Sequence, residues 1–239
     1  MDSSDILCTI CARGGSKGVK NKNIKLINGR PLISYTIEVA KASGLFKHIV
    51  ISTDSPEIAE TAKYYGAEAF FLRPAELATD SAAKLPVIRH ALTESERHYG
   101  KSFSTLMDLD ATSPLRTVQD LHGALEVFMK GGYDNVITAM PSKKSPYFNL
   151  VEVSGDGKVF LSKRLAKTVV RRQDAPKCYD MNASIYLWTR DALLNNETII
   201  SGNTGLFVMP EERSIDIDTD LDFEFVEFLM KKEANNVGT

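Results

Sequence analysis

Short apolar runs alternate with longer stretches of helical period through the first 140 residues of the chain. ILCTICA (6–12) is an apolar run of strand length, and HIVIST (48–53), AEAFFL (67–72), STLMDLD (104–110) and NVITAM (135–140) repeat the pattern. Between these runs lie PLISYTIEVAKASG (31–44), which opens on proline and closes on glycine, and SPEIAETAKYYG (55–66), which adds a serine cap. AKLPVIRHALTESERHYG (83–100) and TVQDLHGALEVFMKGG (117–132) complete the predicted helices. Strand–helix alternation of this kind predicts an α/β fold, a mainly parallel sheet with helices on both faces. Ligands of such sheets bind beyond the carboxyl ends of the strands, which is where the polar loops after residues 12, 53 and 110 fall.

The pattern changes after residue 140. YFNLVEVSGDGKVFLS (147–162) reads as two strands joined around Asp156-Gly157, a hairpin signal. A basic, irregular stretch follows, then a strand at 182–189, a short helix at 190–196, a strand at 206–210 and the closing segment SIDIDTDLDFEFVEFLMKKEA. A hairpin inserted late in an α/β fold often projects from the body. Residues 141–180 are therefore expected to form an arm, suited to dimerisation, within one domain spanning 1–239.

Composition removes several function classes. The 239 residues are 43% hydrophobic and 25% charged with net charge -2, so no basic excess points to nucleic acid. The start, MDSSD, is acidic and unlike a signal peptide, and no apolar run has the length of a membrane span, so a soluble, cytoplasmic protein is expected. Cys8 and Cys11 form a C-x-x-C, but positions i and i+3 of a strand face opposite ways and cannot share a metal. With Cys178 as the third cysteine, packing roles are expected rather than disulfides.

Two constellations carry chemistry. ARGGSKGVKNKN, just past the first strand, lacks both common nucleotide fingerprints, G-x-x-x-x-G-K-[ST] and G-x-G-x-x-G. It still interleaves Gly14, Gly15 and Gly18 with Arg13, Lys17 and Lys22, backbone donors and cations that suit a polyphosphate. The competing reading is a solvated turn. In SIDIDTD, Asp216 and Asp218 share one side while Ile215 and Ile217 face the core, a pair able to hold Mg²⁺ together with substrate phosphates. The competing reading is a helix cap by Asp218 or Thr219 with Asp222. Together the two constellations point to nucleotidyl transfer. Asp110, at the carboxyl end of its strand, is a further candidate, and Asp54 sits at the ligand edge or caps a helix. Arg116 is expected to anchor the TSPLR turn. His90 and His98 are expected at the surface, and Tyr186 and Trp188 to pack.

These residues resemble the acylneuraminate cytidylyltransferases, which make CMP-sialic acid and related CMP-nonulosonates. The resemblance rests on ARGGSKGVKNKNIK, VISTDSPEIAETAKYYGAE, RPAELATDSA, ATSPLR, NASIY and SIDIDTDLDF. It implies a Rossmann-like nucleotidyltransferase fold with a protruding hairpin arm, a homodimer or dimer of dimers, and CTP, a nonulosonic acid and Mg²⁺ as ligands. It implies that Arg13, Gly14, Gly15, Ser16, Lys17, Lys22 and Asn23 hold the nucleotide's phosphates, and that Arg73 and Ala82 meet cytosine. Asp110 joins the nucleotide set, Asp216 and Asp218 hold the metal, and Arg13 and Lys22 act with them in catalysis. Arg172, Gln173, Asn182 and Tyr186 fall on the sugar side. The chain departs from the family at Asp110, where sialate enzymes commonly carry glutamine, at Ala183, where they carry glycine, and at Phe148, where some carry lysine. LDATSPLR with YDMNASIY looks most like the legionaminate branch, whose products serve surface glycans and flagellin. Transfer to N-acetylneuraminate, pseudaminate or an eight-carbon ulosonate is the alternative within the family. A nucleotide-sensing module without turnover, or a glycosyltransferase using the D-x-D pair, lies outside it.

Overall fold

The computed structural model describes residues 6–166 and 171–237. Its strands are β1 (Ile6–Cys11), β2 (Leu26–Ile27), β3 (Arg30–Pro31), β4 (His48–Ser52), β5 (Thr105–Leu109), β6 (Asn135–Pro141), β7 (Val151–Val153), β8 (Val159–Leu161), β9 (Tyr179–Thr189) and β10 (Thr204–Val208). The α-helices are α1 (Leu32–Ala42), α2 (Pro56–Tyr64), α3 (Lys84–Tyr99), α4 (Val118–Gly131), α5 (Arg190–Asn195) and α6 (Asp220–Val237). Six strands form one sheet in the order β10-β6-β9-β5-β1-β4. Five run in one direction; β9 is antiparallel to both neighbours, β5 and β6.

Alternation along the strands divides the core into two layers. Ile6, Cys8 and Ile10 of β1 join Ile33 and Ile37 of α1, Ile58 of α2 and Leu121 of α4 on one face. Leu7 joins Leu85, Ile88 and Leu92 of α3 and Leu193 of α5 on the other. The two cysteines follow the same rule: Cys8 is buried with the first layer and Cys11 packs against the second. A third cluster, Val19, Ile27, Leu32, Leu115, Ile217, Phe223 and Val226, fastens α6 and the segment before it to the loop after β1.

Residues 67–72 are not a strand. Only Glu68 pairs with the sheet edge, through its N–H to Ile49 O (2.7 Å) and its C=O to Ile51 N (2.8 Å). The chain then turns so that Phe70 stacks on His98 (3.8 Å between centroids) and Phe71 meets His90. His98 is exposed as expected, but His90 is half-buried. Arg116, 2% exposed, is the structural anchor anticipated: it donates to Ser184 O, to Thr36 Oγ1 (2.9 Å) and to Asp110 O (3.0 Å).

β7 and β8 form a separate two-stranded sheet turned at Gly157 (φ +81°), with Val151, Val153 and Val159 exposed. β9 brings the chain back into the middle of the main sheet. On the way Ala183 adopts φ +53°, beside a register shift between β6 and β9. Left-handed backbone is costly for any residue with a Cβ. Among the described residues no helix is long and apolar enough to cross a membrane.

Candidate active site

A cleft of about 460 Å³ opens at the carboxyl ends of β1 and β5. It brings together most of the residues singled out in the sequence: Arg13, Ser16, Lys17, Lys22, Asn23, Arg73, Ala82, Asp110, Asp216 and Asp218 all line it. Segments nearly 200 residues apart thus share one wall.

The loop after β1 is built from the inside. Asn23, 5% exposed, donates from Nδ2 to Arg13 O (2.9 Å) and so closes the loop on itself. Gly14 donates its N–H to Asp54 Oδ1 (2.8 Å), so that donor is committed to the scaffold, and Asp54 supports the loop. Gly14 and Gly15 are outside the lining of the cleft, and Gly15 supplies a turn at φ +65°. Gly18 is needed for close approach: a Cβ there would lie 2.0 Å from Asp218 O. The glycine therefore lets the cationic loop dock against the carboxylate segment. Lys22 completes the joint, its Nζ contacting Ile217 O and lying 3.2 Å from Asp218 Oδ1. Arg13 Nη1 pairs with Asp80 Oδ1 (2.6 Å) across the cleft, and Lys17 pairs with the other oxygen of Asp80.

The segment carrying Asp216 and Asp218 is extended but belongs to no sheet; Ile217 N donates to Thr112 O (3.0 Å) and its side chain is fully buried. The alternation read from the sequence holds there. The capping reading also holds, at Thr219 with Asp222: Asp222 Oδ2 accepts from Thr219 N (2.7 Å) and Oγ1 (2.7 Å), and Asp222 N donates to Thr219 Oγ1 (3.2 Å). Asp220 pairs with Lys25 (3.0 Å). Asp218 N also donates to Asp222 Oδ2 (3.1 Å), but the carboxylates of Asp216 and Asp218 are left out of the cap. Burial, then the charges of Asp110 and Asp218, push the Asp216 carboxyl up to about 6 against the hydrogen bond from Thr112 and the charge of Lys22.

Among the described residues no group of three or more His, Cys, Asp or Glu side chains could hold a metal unaided. The donor set still fits Mg²⁺, which takes one or two carboxylates and completes its shell with phosphate oxygens and water. The crowded negative charge at Asp216 is what such an ion would relieve.

Lys84, Thr112 and Asp80 line the cleft and went unrecognised in the sequence. Lys84 Nζ lies 2.7 Å from Asp110 Oδ2 and 3.1 Å from Asp108 Oδ2. Burial opposes its charge, but the two carboxylates outweigh burial and keep it an ammonium. Asp110, equally buried, is held down at about 2 because Lys84 and Thr112 outweigh its desolvation. Thr112 joins Asp110 to Asp216. A lysine at the first position of a helix, against the dipole, was the signal available for Lys84. Asp80 lay inside the quoted LATDSA block.

The residues assigned to the sugar are placed elsewhere. Asn182, 5% exposed, has its side chain committed to Thr138 (2.6 Å), Ser214 (2.9 Å) and Ser184 N (3.3 Å). Tyr186 is 3% exposed, with its ring 4.7 Å from Lys84 Nζ. Gln173 lines a second cavity of about 600 Å³ at the foot of the hairpin, with Pro141, Ser142, Cys178 and Tyr179. Arg172 begins a 3-10 turn, Arg172–Asp174, and its side chain lies outside the described residues.

The family profile described as Cytidylyltransferase matches residues 7–237. The chain belongs to this family. Among related cytidylyltransferases, CMP-N,N'-diacetyllegionaminic acid synthase of Campylobacter jejuni is 58% identical over 227 residues, 95% of each chain. Post-translational flagellin modification protein B of Campylobacter coli is 57% identical over 230 residues, 96% of this chain and 97% of that one. Among solved structures, CMP:2-keto-3-deoxy-manno-octonic acid synthetase complexed with CTP superposes with a TM-score of 0.69 at 18% identity, covering 96% of this chain and all of the other. That likeness establishes the fold.

Proposed function

We propose that this cytidylyltransferase transfers CMP from CTP to the anomeric 2-hydroxyl of a nonulosonic acid, with N,N'-diacetyllegionaminate as the preferred acceptor. The observation that carries the reading is the joint between the two constellations: one cleft holds Arg13, Lys17 and Lys22 and the Asp216/Asp218 pair, with Lys22 Nζ 3.2 Å from Asp218 Oδ1. The legionaminate assignment rests on 58% identity to a synthase of that CMP-sugar.

In the reaction the 2-hydroxyl oxygen bonds to the α-phosphorus, the α–β phosphoanhydride bond breaks, pyrophosphate leaves and the hydroxyl proton is released. Arg13, Ser16, Lys17 and Lys22 bind the triphosphate, so positioning and charge neutralisation carry most of the rate. Arg73 has its guanidinium tied to Ser52 (Nε–Oγ 3.1 Å) and shapes the cytosine end with Ala82. Asp216 and Asp218 would hold Mg²⁺, which neutralises charge on the phosphate oxygens. In this reading the protein is cytoplasmic, where its nucleotide is made. Exposed Val151, Val153 and Val159 support the hairpin as a dimerisation arm within residues 141–180, bringing Arg172 and Gln173 to a partner's acceptor site.

The test is a panel of acceptors at equal concentration with CTP and Mg²⁺, scored by mass of the CMP-sugar. The reading expects N,N'-diacetyllegionaminate to be used at least ~10-fold better than N-acetylneuraminate, pseudaminate or an eight-carbon ulosonate, the scale of a few altered substrate contacts. Preference for one of the others would replace the acceptor and leave the chemistry in place.

A further inference from the structure

Lys84 begins α3, where an ammonium faces the positive end of the helix. It is kept there by two carboxylates, 2.7 Å away at Asp110 Oδ2 and 3.1 Å away at Asp108 Oδ2, with the Tyr186 ring 4.7 Å off. The Asp108 side chain is fully buried; its Oδ1 accepts from Thr9 Oγ1 (2.7 Å) and Cys11 Sγ (3.2 Å), which leaves Oδ2 to Lys84. Asp110 is pinned from both ends, because its Oδ2 meets Lys84 and its Oδ1 accepts from Thr112 N (3.2 Å). The Thr112 hydroxyl gives its one hydrogen to Asp216 Oδ1. A continuous run of contacts therefore leads from the start of α3 to one of the two carboxylates at the cleft, through Asp110 and Thr112.

We propose that Lys84 is a positioning residue for CMP transfer: by gripping Asp110 it fixes Thr112 through its N–H and, through the Thr112 hydroxyl, the orientation in which Asp216 meets the metal ion. The proposal rests on the reading of Asp216 as a metal carboxylate. Asp110 can be ionised here because Lys84 pairs with it, and as a carboxylate it uses one oxygen for Lys84 and the other for Thr112. Lys84 touches neither reacting atom in this scheme. It acts on the far side of Asp110, and its loss would rotate the carboxylate rather than remove a substrate contact.

Lys84→Met alone leaves two buried carboxylates facing each other and is expected to unfold readily. The decisive variant is Lys84→Met with Asp108→Asn. The native group of two carboxylates and one ammonium carries net -1, and the double variant, with Asp110 alone charged, carries the same. Mn²⁺ binding in the presence of CTP is read directly from the EPR signal of free Mn²⁺, alongside kcat and the KM for CTP. Thr112→Val, which leaves the Lys84 group intact, is measured in parallel, and Asp216→Asn serves as the reference for lost metal binding.

The expectation is a loss of Mn²⁺ affinity of ~5-fold or more and of kcat of ~10-fold or more in both the double variant and Thr112→Val, the scale of a small misplacement of a catalytic group. The KM for CTP stays within about threefold, because Arg13, Lys17 and Lys22 are untouched. Combining all three substitutions adds little further, as members of one chain of contacts are non-additive. Native Mn²⁺ affinity in either folded variant, with Asp216→Asn defective, overturns the role of Lys84. Native affinity in Asp216→Asn itself overturns the metal assignment and the proposal with it.

Discussion

Asp216→Asn should make the metal-free protein more stable while abolishing its chemistry. Burial, Asp110 and Asp218 together raise the Asp216 carboxyl from an ordinary 3.8 to about 6. A group whose folded-state value is raised favours the fold fully below the unfolded value near 3.8, and that support is lost as pH rises through about 6. At pH 7.5 the ionised carboxylate is therefore a standing cost. A gap of about two pH units at ~1.4 kcal/mol each sets this cost at ~2–3 kcal/mol. Asparagine keeps an oxygen for Thr112 Oγ1 and carries no charge. Urea unfolding of both proteins in chelator should give a variant ~2–3 kcal/mol more stable at pH 7.5, about 5–10 °C in Tm for a chain of this size. The difference should shrink toward zero at pH 4. Turnover with Mg²⁺ should fall ~10²-fold or more, a trade of stability for function. Equal stability at pH 7.5, or a variant less stable than the parent, would refute the argument that Asp216 is held charged against its surroundings.

Asp218→Asn, at a carboxylate that is exposed and paired with Lys22, should cut turnover by ~10²-fold with little change in Tm; near-native turnover would remove it from the metal pair. Gly18→Ala places a Cβ 2.0 Å from Asp218 O, so kcat/KM for CTP should fall ~10-fold or more with the fold retained by circular dichroism. An unchanged kcat/KM would mean the loop and the carboxylate segment need not dock closely. Arg116→Met removes the donors held by Ser184, Thr36 and Asp110 O in a site 2% exposed, and should cost ~3 kcal/mol or more in urea unfolding; a loss below ~1 kcal/mol would contradict its anchoring role.

The sheet and its two helical layers were legible because apolar runs and helical periods alternate cleanly through residue 140. The run at 67–72 misled, since an apolar stretch after a helix has strand composition whether it pairs or folds back, and here Phe70 and Phe71 leave the sheet for α3. That β9 enters antiparallel between β5 and β6 is a matter of long-range pairing, which local pattern does not carry. The cleft was legible where residue type and loop position agreed, as for Arg13, Lys22, Asp216 and Asp218. Gly14 shows the limit: it reads from the sequence as a backbone donor to phosphate, but its N–H serves Asp54. Lys84 and Thr112 escaped because their parts depend on partners 26 and 104 residues away in sequence. Asn182 was placed on the sugar side by resemblance, yet its polar atoms are spent inside the sheet.

In the proposed reaction the cationic loop and the paired aspartates make one phosphoryl-transfer centre. Its most direct test is pyrophosphate release from CTP, with and without chelator, in the presence and absence of N,N'-diacetyllegionaminate. The account predicts release that requires both the acid and the divalent cation and yields one CMP-sugar per pyrophosphate. CTP binding without release under any acceptor and metal, in folded protein, would contradict it and leave a nucleotide-binding module in place of an enzyme.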